Sequence, residues 1–261
     1  MFEYSFIPIA TMKKKFLSIM LGLAFLLPSV TQADTILLED FEDATLTYSG
    51  PADAFGDLPG SRDYYGRFAP DTVSTPSGIS LSNTQGSGYY AVEDTNGATG
   101  GGGSLNTVTL NWSVNASAYE NLSLSWFVAE DDDGGSQDWD PDSSFIMSVQ
   151  LDSGGFNPIF QVEAESAGVS NSIPRVDTNF DGVGDGTEIT DTFAQFSTAL
   201  ADAGTVDIRV EFINLTAQDE DFAFDNLHLE GDLVSAIPEP GTALMFSVAL
   251  IGCFVRRRRR G

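Results

Sequence analysis

Between residues 34 and 236 the chain alternates apolar and polar positions with a period of two. Val108, Leu110, Trp112 and Val114 fall on one face of a segment, and Leu122, Leu124, Trp126 and Val128 on one face of the next. Phe145, Met147, Val149 and Leu151 repeat the pattern, as do Val206, Ile208, Val210 and Phe212. Successive side chains of an extended chain point to opposite faces, so each run predicts a half-buried antiparallel strand. Shorter candidates are Thr35–Phe41, Tyr89–Glu93, Phe156–Val162, Thr192–Phe196 and Phe222–Leu229. Stretches rich in Gly, Asp, Ser and Pro separate them, notably Gly97–Ser104 and Asp131–Ser144. No amphipathic helical stretch of useful length interrupts the series. About eight to ten strands in about 200 residues predict an all-β, two-sheet β-sandwich, most simply a jelly roll.

The ends break the pattern. Lys13-Lys14-Lys15 precedes an apolar run from Phe16 to Leu27, and Thr31-Gln32-Ala33 closes with small residues. This layout predicts a signal peptide over 1–33, cleaved before Asp34, with Met12 as the true start. At the other end, over 237–261, Ile237-Pro238-Glu239-Pro240-Gly241 leads into an apolar run from Thr242 to Val255. Arg256, Arg257, Arg258, Arg259, Arg260 and Gly261 follow. The run is shorter than the ~20 residues of a comfortable transmembrane helix. Its arginines hold the C-terminal end on the cytoplasmic side, which puts the body, 34–236, outside.

This order of Pro-Glu-Pro, short hydrophobic helix and Arg cluster resembles the PEP-CTERM sorting signal of exported bacterial proteins. The resemblance implies transient membrane insertion through the C-terminal helix and a partner, the membrane protease exosortase, that cuts near Pro238-Glu239-Pro240. It also implies delivery of the body to the cell surface or extracellular matrix, alongside exopolysaccharide.

Removing the ends sharpens the charge. Of the 12 basic residues only Arg62, Arg67, Arg175 and Arg209 lie in the body, which keeps all 38 acidic residues except Glu3 and Glu239. A net charge of about −32 repels nucleic acid and excludes it as a partner unless cations bridge the two. It also strains a compact fold, so bound divalent cations are expected. The one cysteine, Cys253, falls in the apolar tail and leaves the body without a disulfide.

The body opens with Leu38-Glu39-Asp40-Phe41-Glu42 and closes with Phe222-Ala223-Phe224-Asp225-Asn226-Leu227. These segments resemble the first and last strands of MAM-type and carbohydrate-binding-module jelly rolls. The resemblance implies that the terminal strands lie side by side and share a cation. Glu39, Glu42 and Asp225, with Asp94 as a further partner, are then candidate Ca²⁺ ligands, the alternative being solvated edge charges.

A second candidate metal site is sharper. Asp177-Thr178-Asn179-Phe180-Asp181-Gly182-Val183-Gly184-Asp185-Gly186-Thr187-Glu188 places oxygen side chains at loop positions 1, 3, 5, 9 and 12, with glycine at 6. In that spacing alternate side chains converge on Ca²⁺ while the glycine makes the bend. Asp177, Asn179, Asp181, Asp185 and Glu188 would bind through side chains and Val183 through its carbonyl. Gly184 stands where paired EF-hands carry an apolar residue, and no flanking helices are evident. The segment is therefore more similar to the calcium loops of dockerins and thrombospondin type 3 repeats.

Catalysis finds little support. His228 is the only histidine, and no nucleophile elbow or His/Cys zinc spacing occurs. Carboxylate-based glycoside hydrolysis, with Glu130 and Asp131–Asp133 as the acids to consider, is the weakest reading. Trp139, inside an acidic segment, is a candidate sugar-stacking residue, and one ring each of Tyr64-Tyr65 and Tyr89-Tyr90 is expected to face solvent. Two function classes result. One is a calcium-stabilised jelly-roll module that binds extracellular polysaccharide; the other is an acidic matrix protein crosslinked through calcium without a sugar site.

Overall fold

The structure, a computed structural model, describes residues 33–42, 45–56, 62–68, 80–131 and 139–234. The segments expected to form the signal peptide, apart from Ala33, and the sorting signal with its apolar helix lie outside them, as do Asp132–Asp133. The first strands are β1 (Asp34–Glu39), β2 (Ala54–Phe55), β3 (Tyr64–Phe68) and β4 (Tyr89–Glu93). Then come β5 (Thr107–Asn115), β6 (Tyr119–Ala129), β7 (Ser144–Leu151) and β8 (Asn157–Ala164). Last are β9 (Pro174–Val176), β10 (Ala194–Ala199), β11 (Thr205–Ile213) and β12 (Asp221–Leu233).

The strands form the expected two-sheet sandwich. A seven-stranded sheet runs β10-β6-β12-β4-β3-β2 with β1 also on β12, and a five-stranded sheet runs β5-β11-β7-β8-β9. β12 organises the larger sheet. One side pairs with β6; on the other, β4 takes Asp221–Phe224 and β1 takes Leu227–Gly231. The register of β12 against β6 shifts between Asp225 and His228, where Asn226 adopts φ 50°. Such a bulge bends the strand and re-aims its side chains. The first and last strands of the body are thus neighbours.

The alternating runs supply the layer between the sheets. Trp112, Val210, Phe212 and Phe145 from the smaller sheet meet Phe222, Phe224, Trp126 and Leu229 from the larger. Phe145 lies 4.7 Å from Phe222 and 5.2 Å from Phe212, centroid to centroid. A second apolar layer covers the outer face of the larger sheet, built from Tyr64, Phe68, Tyr89, Phe127 and Phe193. The middle of this sheet is therefore buried on both sides, and every residue of β3 and β4 is buried. The expectation that Tyr64-Tyr65 and Tyr89-Tyr90 each show one ring to solvent is corrected: the outward rings pack into this second layer. The smaller sheet instead keeps its outer face polar, as the alternating burial of β11 records.

Candidate functional site

The Asp177–Glu188 loop leaves β9 at the edge of the smaller sheet and folds back over β8. Asp177 N donates to the Gln161 carbonyl at 2.9 Å, and Gly184 N to that of Ala164 at 3.0 Å. Asp177 is buried, and its carboxylate organises the bend. Oδ1 accepts from Asn179 N at 3.1 Å and Phe180 N at 2.7 Å, while Oδ2 accepts from Gly182 N at 2.8 Å. Gly182 has φ 86°, a conformation that glycine adopts without steric cost. Asn179 and Asp181 each accept from the amide two residues on, at 3.0 and 3.2 Å. Asp185 accepts from Thr178 N and Oγ1 at 2.9 and 2.7 Å, and these bonds hold its carboxyl below the usual range.

Glu188 departs from the cage. Its carboxylate takes Arg175 Nη2 at 2.8 Å, across a backbone bridge between the two residues. Arg175 also reaches Glu165 through Nε at 3.1 Å. Beside the loop, burial pushes the Glu163 carboxyl up to about 7, with the Asp177 charge adding to it. Gln161 Nε2 donates to the Glu163 carboxylate. The loop thus holds an all-oxygen donor set of the kind a hard cation takes, with its twelfth position engaged elsewhere. Among the described residues no three Asp, Glu, His or Cys side chains converge as ready metal ligands.

The four carboxylates assigned to a second cation are not brought together. Glu39 is committed inside the sandwich: Oε1 accepts from Phe41 N at 3.2 Å, and Oε2 from Thr47 N and Oγ1 at 2.8 and 2.7 Å. Thr47 Oγ1 in turn accepts from Trp112 Nε1 at 3.0 Å. Asp94 has Asp63 and Glu220 as its charged neighbours; burial first, then Asp63, raises it to about 6. Asp225 and Glu42 do come near each other, with Asp40. Asp225 is fully buried, Oδ2 accepts from Gln85 N at 3.3 Å, and Oδ1 has no partner. Burial pushes it up to about 8, with the charges of Glu42 and Asp40 adding to that. For Glu42, burial is outweighed by bonds from Gly88 N and from the amide and hydroxyl of Ser87, which hold it low. The sequence placed Asp225 and Glu42 together because β1 and β12 pair; it misplaced Asp94, which lies near the start of β12 instead of at its bulge.

A row of polar residues that sequence reasoning missed crosses the outer face of the larger sheet. Tyr64, Glu93 and Asp221 stand directly opposite one another on β3, β4 and β12, and Asp131 N donates to Asp221 Oδ1 at 2.8 Å. Glu93 is buried, its Oε2 lacks a hydrogen-bond partner, and Arg62 Nε approaches Oε1 at 3.7 Å. Burial pushes Glu93 up to about 8, against the pull of Tyr64 and Arg62. Only the register of β3, itself unforeseen, would have signalled this row.

Trp139 is also corrected as a ligand contact. It is fully buried, packs 5.4 Å from Phe222, and directs Nε1 at the Asp221 carbonyl, 3.4 Å away. Its acidic neighbours suggested exposure, but a bridge to Ser172 tucks the segment against the sandwich. His228 bonds the hydroxyl of Thr35 at 3.0 Å through Nε2.

The chain carries a PEP-CTERM protein-sorting motif, matched over residues 236–260. No curated protein matches the chain. Among solved structures, it is similar to the CBM22-1 xylan-binding domain of a Paenibacillus barcinonensis protein, at 12% identity and TM-score 0.37, covering 80% of this chain and 99% of that one. It is similar to a cleaved adhesin domain of Lys-gingipain from Porphyromonas gingivalis, at 15% identity and TM-score 0.40, covering 76% and 99%. It is likewise similar to a Stig cyclase from Fischerella sp. TAU, at 14% identity and TM-score 0.38, covering 78% and 100%.

Proposed function

We propose that this protein is an exosortase substrate whose sandwich, released to the cell surface or extracellular matrix, associates with exopolysaccharide without catalysing its turnover. The sorting motif at 236–260 carries the reading. Pro238 and Pro240 disfavour a continuous helix through the motif, which suits recognition by a membrane protease. The short apolar run anchors weakly, and the arginines fix its cytoplasmic end. A body of about −32 that avoids polyanions is compatible with a neutral polysaccharide. We further propose that Ca²⁺ occupies the Asp177–Glu188 loop, held by Asp177, Asn179, Asp181, Asp185 and the Val183 carbonyl, with Glu188 swinging in from Arg175. The Glu42–Asp225 pair is a weaker second site for the same cation. A purely structural matrix role, crosslinked through calcium, is the competing reading.

Intact-mass analysis of surface-released protein tests the assignment in a host with the matching exosortase. The released species lacks Thr242–Gly261, and replacing Pro238-Glu239-Pro240 by alanines strands the protein in the membrane. A released species still ending in Gly261 refutes the sorting route.

A further inference from the structure

The loop after β9 carries a residue that the cation spacing does not use. Phe180 is 47% exposed, the one aromatic side chain in the open among the described residues. Its φ is 60°, the left-handed region that bulky residues rarely occupy. Holding a non-glycine residue there costs on the order of 1 kcal/mol or more. The bond from Phe180 N to the buried Asp177 carboxylate, 2.7 Å long, holds the main chain in this conformation. Neither backbone preference nor burial favours phenylalanine at this position.

We propose that Phe180 is the stacking platform of a binding site for a neutral, hydroxyl-rich sugar chain. The inference rests on the polysaccharide-association reading and gives it a location. The ring is flanked in the chain by Thr178, Asn179 and Asp181, all exposed. A lone ring in a polar rim lacks the contiguous apolar patch that a protein partner buries. Asp181 and Asp185 beside it repel an anionic polymer. A pyranose matches both features. Its C–H face packs on the aromatic face, and its hydroxyls donate to the surrounding acceptors.

Affinity electrophoresis of the processed, secreted protein tests this. The gels contain xylan, β-glucan, mannan or galactan, with alginate as the anionic control. The wild type is retarded by at least one neutral polymer and not by alginate. Phe180→Ala and Phe180→Gly bind that polymer roughly tenfold more weakly, and Phe180→Trp restores binding. Phe180→Gly also melts no lower than the wild type, because glycine suits the backbone, which separates loss of binding from loss of fold. Wild-type affinity in both the alanine and glycine variants overturns this site while leaving polysaccharide association intact. A wild type that binds no neutral polymer, or prefers alginate, overturns both.

Discussion

Glu188, the last residue of the calcium-loop spacing, is held by Arg175 at 2.8 Å and not by the loop that it closes. The pair is part-exposed, with 25% of the arginine side chain and 39% of the glutamate side chain accessible. Solvent screening limits such a pair to about 1 kcal/mol or less. One Ca²⁺ site at about 100 times its dissociation constant contributes roughly 2.7 kcal/mol. A cation bound at the loop as proposed would therefore outcompete the arginine.

The first prediction follows from that comparison. Chelator lowers the Tm of the wild type by several degrees, and Asp181→Ala with Glu188→Ala abolishes most of the difference. Arg175→Gln costs little in chelator and enlarges the rise on adding Ca²⁺, because Glu188 is released. Calorimetry with and without Ca²⁺ reads all three; a full calcium response in the double variant removes the loop as the site.

The second concerns pH. Glu93 and Asp225 sit near 8 and Glu163 near 7, each raised chiefly by burial. A folded pKa above the unfolded one means stability that is complete below the ordinary values of 4.5 and 3.8 and lost as pH climbs through 7 to 8. The chelated protein is expected to melt progressively lower from about pH 5 to 8. Glu93→Gln, which keeps the shape and removes the charge, should raise stability at pH 8 by about 1–4 kcal/mol and change little at pH 4. A glutamine variant that melts lower than the wild type at pH 8 would show that the ionised form is the stabilising one.

The third separates structure from recognition at Trp139. Truncation to alanine leaves a cavity against Phe222 and should cost about 3–5 kcal/mol. Urea unfolding measures it. A change below ~1 kcal/mol would be incompatible with a buried ring.

Glu39 supports the fourth. It accepts from Phe41 N, Thr47 N and Thr47 Oγ1, so Glu39→Ala strands the buried Phe41 N, breaks the two bonds to Thr47 and should cost about 2–3 kcal/mol with or without calcium. A loss seen only in the presence of Ca²⁺ would return Glu39 to the ligand set.

Legibility in the sequence depended on where one face of a strand met water. β5, β6 and β11 were readable because Ser113, Ser125 and Asp207 alternate with buried neighbours. β3 was not: Tyr64, Tyr65, Gly66, Arg67 and Phe68 are all buried, so the polarity of the chain carries no face signal there. β9 is three residues long and begins with Pro174, too short for any period to show. The Asp177–Glu188 loop was legible as a spacing of oxygen side chains, since those residues are local in the chain. The Arg175 hold on Glu188 was not, because it depends on a backbone bridge. Phe180 stood in plain view, but only its φ and exposure distinguish it from a core phenylalanine.

The threefold partnership of β12 also sets an order of events. β1 begins the body at Asp34, yet its partners, Leu227 to Gly231, are nearly the last residues of the sandwich to be made. β4 and β6 gain their second partner from the same strand. Contacts so distant along the chain form late and slowly. The seven-stranded sheet thus lacks its centre until β12 is synthesised, so its two halves, β10-β6 and β4-β3-β2, are joined only after the whole body has been made.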